Sequence, residues 1–195
     1  MTKPLVLVTG CLGQLGNAVQ RHWVSSQMAS RYELLPVDRD QLDLTDTEDL
    51  TAYLNILRPT IIINAAAFTR VDDAETNRDA AYAVNAEAVH SLAKWCRVRG
   101  CKLIQISTDF VFNGTTQTPF HTDAQTHPLS VYGASKLAGE MHVLDLLPNS
   151  GCVVRTSWLY SEYGSNFVKT MLRLMREKPA LNIVNDQIGS PTSAH

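Results

Sequence analysis

Short runs of branched apolar residues recur along this chain, each followed by a longer stretch with helical spacing, and no other feature limits its fold as strongly. LVLVT (5–9), YELLPV (32–37), TIIIN (60–64), KLIQIS (102–107), CVVRT (152–156) and LNIV (181–184) are apolar runs without strict alternation. Strands of that kind are buried on both faces, as they are inside a parallel sheet. Between them, residues 14–25, 47–57, 74–99, 131–147 and 166–177 carry the three- and four-residue spacing of helices. The strand–helix–strand order predicts right-handed crossovers and a doubly wound α/β layer structure.

Local signals mark several boundaries. Thr45 followed by Glu48 reads as a capping box opening the second helix, and Gly100 stands where the long helix before the fourth strand should stop. The one long irregular connection is 109–130, rich in glycine, proline and small polar residues. A connection of that length in a compact domain is usually functional or mobile.

After the first strand, VTGCLGQLG sets Gly10, Gly13 and Gly16 in a GxxGxxG spacing at the opening of the first helix. Glycines there permit a tight turn, close approach of backbone to a pyrophosphate and close helix–strand packing, while the helix N-terminus offers amides to phosphate. The sheet is therefore expected to be of the Rossmann type, with a dinucleotide along Gly10, Cys11, Leu12, Gly13, Gln14, Leu15 and Gly16. Asp38, at the end of the second strand, has the spacing of an acidic residue that meets ribose hydroxyls. Arg39 next to it suits a 2′-phosphate or a solvated loop equally well, which leaves NADPH and NADH both open. Asp43 and Leu44 lie in a segment that either covers the adenine or merely turns before a helix.

VYGASKLAGE (131–140) sets Tyr132 four residues ahead of Lys136, on one helical face. A phenol titrates near 10 and is a weak acid–base catalyst at neutrality; a neighbouring ammonium favours the phenolate. Lys136 is thus expected to tune Tyr132 and to meet the nicotinamide ribose. Thr108, just past the fourth strand, falls at the carboxyl edge where open α/β sheets place ligands, with its hydroxyl available to a substrate carbonyl.

Composition removes other classes. A net charge of −2, with no Lys/Arg run, gives no footprint for nucleic acid or anionic lipid. No stretch approaches the roughly 18 apolar residues of a membrane helix, so a cytoplasmic location is expected. The four cysteines form no CxxC pair and have no histidines at metal-ligand spacing, so free thiols, no disulfide and no metal are expected.

Together, GCLGQLG, NAAAFTRVDDAE, STDFVFNG, PLSVYGASKLAGE, RTSWLYSEYGSNF and VNDQIGSPT resemble the extended short-chain dehydrogenase/reductase family, and within it the dTDP-4-dehydrorhamnose reductases more than the epimerases or dehydratases. The resemblance implies NAD(P)H-dependent reduction of the C4 carbonyl of a deoxy-sugar nucleotide, with Thr108, Tyr132 and Lys136 as the catalytic set. It implies Thr108, Asp109, Trp158 and Asn166 as substrate contacts, and Ala65, Ala66 and Ala67 along the cofactor. A small-molecule nucleotide-sugar is the implied partner, and a homodimer is left open. Residues 1–160 would form the dinucleotide-binding domain and 161–195 the start of a nucleotide-sugar-binding region.

Two departures stand out: Phe110 and Phe68 replace tyrosines common in the family, each removing a hydroxyl. Cys11 adds a thiol with expected oxidation sensitivity. Family members are longer, so a fragment or truncated variant is expected, binding dinucleotide better than it turns over sugar nucleotide. The alternative is a catalytically idle binding subunit with this fold, like the reductase-like partner of methionine adenosyltransferase.

Overall fold

The computed structural model describes residues 3–116 and 118–195. The chain runs β1 (Leu5–Thr9), α1 (Gln14–Trp23), α2 (Met28–Arg31), β2 (Glu33–Val37), α3 (Thr47–Leu57), β3 (Ile61–Asn64), α4 (Val71–Thr76), α5 (Arg78–Tyr82), a π-helical turn (Ala83–Glu87), α6 (Ala88–Arg99) and β4 (Lys102–Thr108). It continues through a 3-10 turn (Asp109–Val111), α7 (Val131–Leu146), β5 (Gly151–Thr156), β6 (Leu159–Tyr160), α8 (Phe167–Glu177) and β7 (Thr192–Ser193).

Five strands pair in parallel in the order β2-β1-β3-β4-β5, as the unbroken apolar runs require. Pro36 fits because β2 is an edge strand, where a missing amide leaves no broken ladder. Leaving β1, the chain passes to one side to form β2; leaving β2, it returns across β1 to form β3. Right-handed crossovers of opposite sense put α1 and α3 on opposite faces. The main core lies on the α3 side: Leu7, Ile62 and Leu103 from the sheet pack against Leu50 and Leu54 of α3, Val89 and Leu92 of α6 and Val143 of α7. The order reverses between β1 and β3, and such a switch opens a crevice at the carboxyl ends of the strands.

Three expectations are corrected. The run LNIV (181–184) forms no strand; β6 instead pairs with β7 in a separate two-stranded ladder. Single apolar runs do not specify pairing partners, and this one finds none on the sheet. The predicted long helix 74–99 is interrupted: α4 ends at Thr76, α5 follows, and the π-helical turn carries the chain into α6. The third helix is capped by Asp46, whose carboxylate accepts from the amides of Glu48 and Asp49, while Thr45 donates to Asp43. Gly100 does end α6, in the left-handed region at φ 69°.

α8 has no buried residue despite its apolar positions; Phe167, Val168, Leu172 and Met175 are exposed. No helix among the described residues is long and apolar enough to cross a membrane.

α7 packs on the π-helical turn at Gly139, where an added Cβ would lie 2.2 Å from the Asn85 carbonyl oxygen. In an open helix Gly→Ala gains up to about 1 kcal/mol. Gly139→Ala is instead expected to cost about 1–3 kcal/mol by overpacking against backbone, read as a lower urea midpoint at unchanged slope.

Candidate active site at the carboxyl edge of the sheet

The glycine loop is shaped by contacts that only hydrogen fits. Gly10 lies at φ 67°, and a Cβ on it would stand 2.6 Å from the Ala66 amide nitrogen. On Gly16 a Cβ would stand 2.3 Å from the Gly10 carbonyl oxygen and 2.6 Å from Cys11 Cα. The loop is thus pressed against the strand end at Ala65–Ala67 while its helix opens at Gly13, and the first turn of a helix leaves amides without intrahelical partners. This geometry fits a pyrophosphate. Leu12 is exposed at the loop tip, and Cys11 is buried. Burial foremost, and then the Asp38 carboxylate, push the Cys11 thiol above its ordinary range. Few thiolates means low reactivity, against the expected oxidation sensitivity.

Asp38 stands at the loop's edge, its Oδ1 accepting from the amides of Asp40 and Gln41 at 3.1 and 3.2 Å. Arg39 is exposed and pairs with Asp43 at 3.2 Å. Asp43 is held below the usual carboxylate range, first by the Thr45 hydroxyl. The Leu44 side chain is part of the hydrophobic core, which leaves its backbone to face the crevice. An apolar residue in a turn is drawn to whatever core lies beneath it.

Thr108 ends β4, with its hydroxyl 3.2 Å from Asp109 Oδ1 and accepting from the Phe110 amide. Asp109 Oδ2 accepts from Ser157 at 2.8 Å. Tyr132 enters at the start of α7, capped by Ser130, and its ring meets Phe110 edge-on at 5.6 Å. Lys136, only 4% exposed, donates to the Ile106 carbonyl at 2.6 Å. The phenol's environment is set first by burial. Tyr132 is raised above its ordinary value, mainly by burial and further by Asp109, with the Thr108 hydroxyl opposing. Lys136 is lowered to about 8 by burial, against which Glu140 acts. The ammonium's hydrogen bond goes to the Ile106 carbonyl on the strand.

Trp158 follows β5 at φ 49°, 43% exposed. A bulky residue in that region is a strained conformation of the sort found at functional sites. Asn166, expected as a substrate contact, has its side chain hydrogen-bonded within the protein. Its Oδ1 caps α8 at Lys169, and its Nδ2 reaches Gln14 Oε1 at 2.9 Å and the Ser161 carbonyl at 2.8 Å. Gln14 likewise turns its side chain to Asn166 and Ser161, so only its backbone is free for a phosphate.

Further residues join this region; the sequence leaves Asn85 either bonded to backbone near the site or solvated on its helix, and the others carry no motif. Asn85, buried, accepts from the Phe68 amide at 2.9 Å and donates to the Phe68 carbonyl and to Ser135. It fastens the segment after β3 to α7. Thr9, Asn64 and Gln105 form a buried side-chain row across β1, β3 and β4, with links of 2.6 and 2.7 Å. Glu140 and Arg155 pair beside Lys136. For Glu140 the signal was present, since it stands one more four-residue step along the face of Tyr132 and Lys136.

Comparison with known proteins matches residues 3–195 to the family model described as RmlD substrate binding domain. A dTDP-4-keto-6-deoxy-D-glucose reductase of Streptomyces niveus is 42% identical over 95% of this chain and 63% of its own length. A dTDP-4-dehydrorhamnose reductase of Aggregatibacter actinomycetemcomitans is 42% identical over 96% of this chain and 62% of its own. The chain therefore spans somewhat less than two thirds of these relatives. The crystal structure of a dTDP-4-dehydrorhamnose reductase from Bacillus anthracis in complex with NADP superposes with a TM-score of 0.91 at 42% identity, over 99% of this chain and 67% of that one. One from Clostridium acetobutylicum gives 0.92 at 39% identity, over 97% and 66%.

Gly16→Ala is expected to weaken dinucleotide binding by at least about tenfold, a loss of about 1.4 kcal/mol, in a fluorescence titration with NADPH. An unchanged dissociation constant in folded protein would remove the cradle from the binding site.

Proposed function

The chain belongs to the RmlD substrate binding domain family, and on that premise we propose that it carries the cofactor and proton-transfer half of a reductase. The reaction is NAD(P)H-dependent reduction of the C4 carbonyl of a deoxy-sugar nucleotide, dTDP-4-dehydro-L-rhamnose to dTDP-L-rhamnose. The observation that carries this reading is the convergence of Thr108, Tyr132 and Lys136 on the carboxyl edge where the Gly10–Ala66 contact shapes a phosphate cradle.

Each residue has a role in that reading. The loop 10–16 and Ala65–Ala67 hold the dinucleotide, with Asp38 at the adenosine ribose. Bound there, a reduced nicotinamide would supply the hydride. Tyr132 donates the proton to the carbonyl oxygen, and Thr108 donates a hydrogen bond to the same atom. Lys136 offers its ammonium to the nicotinamide ribose. Asp109, tied to Ser157, and Trp158 contact the sugar. We read 1–160 as the dinucleotide-binding unit and 161–195 as the beginning of the substrate side, a division supported by the absence of buried residues in α8.

Tyr132→Phe removes the proton donor while keeping ring and packing. It is expected to lower the turnover of dTDP-4-dehydro-L-rhamnose, followed as NADPH oxidation, by about 10²–10⁴-fold, with NADPH affinity nearly unchanged. An idle binding subunit would show equal, negligible rates before and after the substitution.

A further inference from the structure

Tyr132, Lys136 and Glu140 lie at successive four-residue steps, so they share one face of α7. Glu140 is 1% exposed. Its carboxylate is forked by Arg155, with Nε at 3.0 and 3.2 Å from the two oxygens and one terminal nitrogen at 2.6 Å, and it accepts from the Ser107 hydroxyl. A buried ion pair adds little net stability, because desolvating two charges offsets most of their attraction. Stability alone therefore gives no reason for this pair.

Its surroundings do. Lys136 is buried to nearly the same degree, and burial alone would strip its proton. The charged group that acts on Lys136 is Glu140, one turn along α7 itself. Asp109 acts on Tyr132, and Glu75 of α4 accepts from the Val131 amide. His90 of α6 stacks on His142, beyond Glu140 along α7. Arg155 grips the Glu140 carboxylate in this fork and faces the other way as well. Its guanidinium lies 4.9 Å over the Phe112 ring, which stacks on Phe120 at 4.1 Å, and it reaches the Thr122 carbonyl at 3.3 Å.

We propose that Glu140 and Arg155 are positioning residues: Glu140 keeps the buried Lys136 in its ammonium form, and Arg155 fixes that carboxylate while fastening the loop around Phe120 and Thr122 to the catalytic helix. The proposal rests on the reading of Lys136 as the residue that meets the cofactor ribose. The sign follows from the charges. Lys136 loses its proton near pH 8, and without the carboxylate beside it burial acts unopposed, so the loss moves to lower pH.

The test follows Lys136 directly in the full chain by NMR of lysines carrying ¹³C at Cε, the signal assigned with Lys136→Met. In Glu140→Gln the midpoint is expected to fall by about one pH unit or more. The double variant Glu140→Met/Arg155→Met replaces the pair by apolar volume, a change that folds tolerate, and should also lower it. A midpoint unmoved in these variants would overturn the proposal. NADPH titrations over the same pH range form a second arm, in which the alkaline loss of affinity should move with the NMR midpoint. Wild-type protein that binds no NADPH at any pH would instead overturn the dinucleotide reading, leaving the NMR comparison to decide the role of Glu140. Arg155→Lys keeps a charge but not the fork or the ring contact, and is expected to speed proteolytic cutting between 113 and 130 at least about threefold; an unchanged rate would overturn the fastening role.

Discussion

The backbone contact between Gly10 and Ala66 is the constraint on which the site depends. With an added Cβ at 2.6 Å from the Ala66 nitrogen, the loop after β1 and the segment after β3 meet with no room for a side chain. That contact falls where the strand order reverses, so it both closes the floor of the crevice and turns the α1 N-terminus toward it. The buried row of Thr9, Asn64 and Gln105 lies across the same strand ends. Buried amides and hydroxyls must find partners, and these three find one another, which fixes the relative height of β1, β3 and β4 beneath the cradle.

A second set of polar contacts ties α7 to this floor. Asn85 imitates a strand neighbour, exchanging two hydrogen bonds with the backbone of Phe68, and then spends its remaining donor on Ser135 of α7. The π-helical turn that carries Asn85 also accepts the bare face of Gly139. A regular helix through 83–87 would aim this side chain elsewhere. The irregularity is therefore part of how α7, and with it Tyr132 and Lys136, is held at a set distance from the cofactor loop.

The layer order and the site's outline were legible because both depend on local patterns. Unbroken apolar runs mark central strands, glycine spacing marks the cradle, and a four-residue step puts Tyr132 and Lys136 on one face. What escaped reading depends on long-range partners. LNIV has the composition of a strand but pairs with neither edge of the sheet. Leu44 was placed by its neighbours in the chain, whereas the core beneath claimed its side chain. Asn166 sits in a motif with a known substrate context, yet its amide is taken up by Gln14, 152 residues away. The interruption of helix 74–99 has no glycine or proline to announce it; Asn85 and its distant partner Phe68 accompany it.

The phenol's environment bears on the direction of the chemistry. Burial and Asp109 hold Tyr132 above its ordinary value, so at neutral pH the side chain is a neutral donor without help from Lys136. Reduction of a carbonyl needs that donor, because the oxygen becomes an alkoxide, a far stronger base than a phenolate. Oxidation of an alcohol needs the phenolate from the outset, and here forming it means placing an anion beside Asp109 in a buried site. Lys136 gives its hydrogen bond to the Ile106 carbonyl. The same groups that fail to make the tyrosine acidic thus keep it in the protonated form from which the proposed reduction would draw its proton.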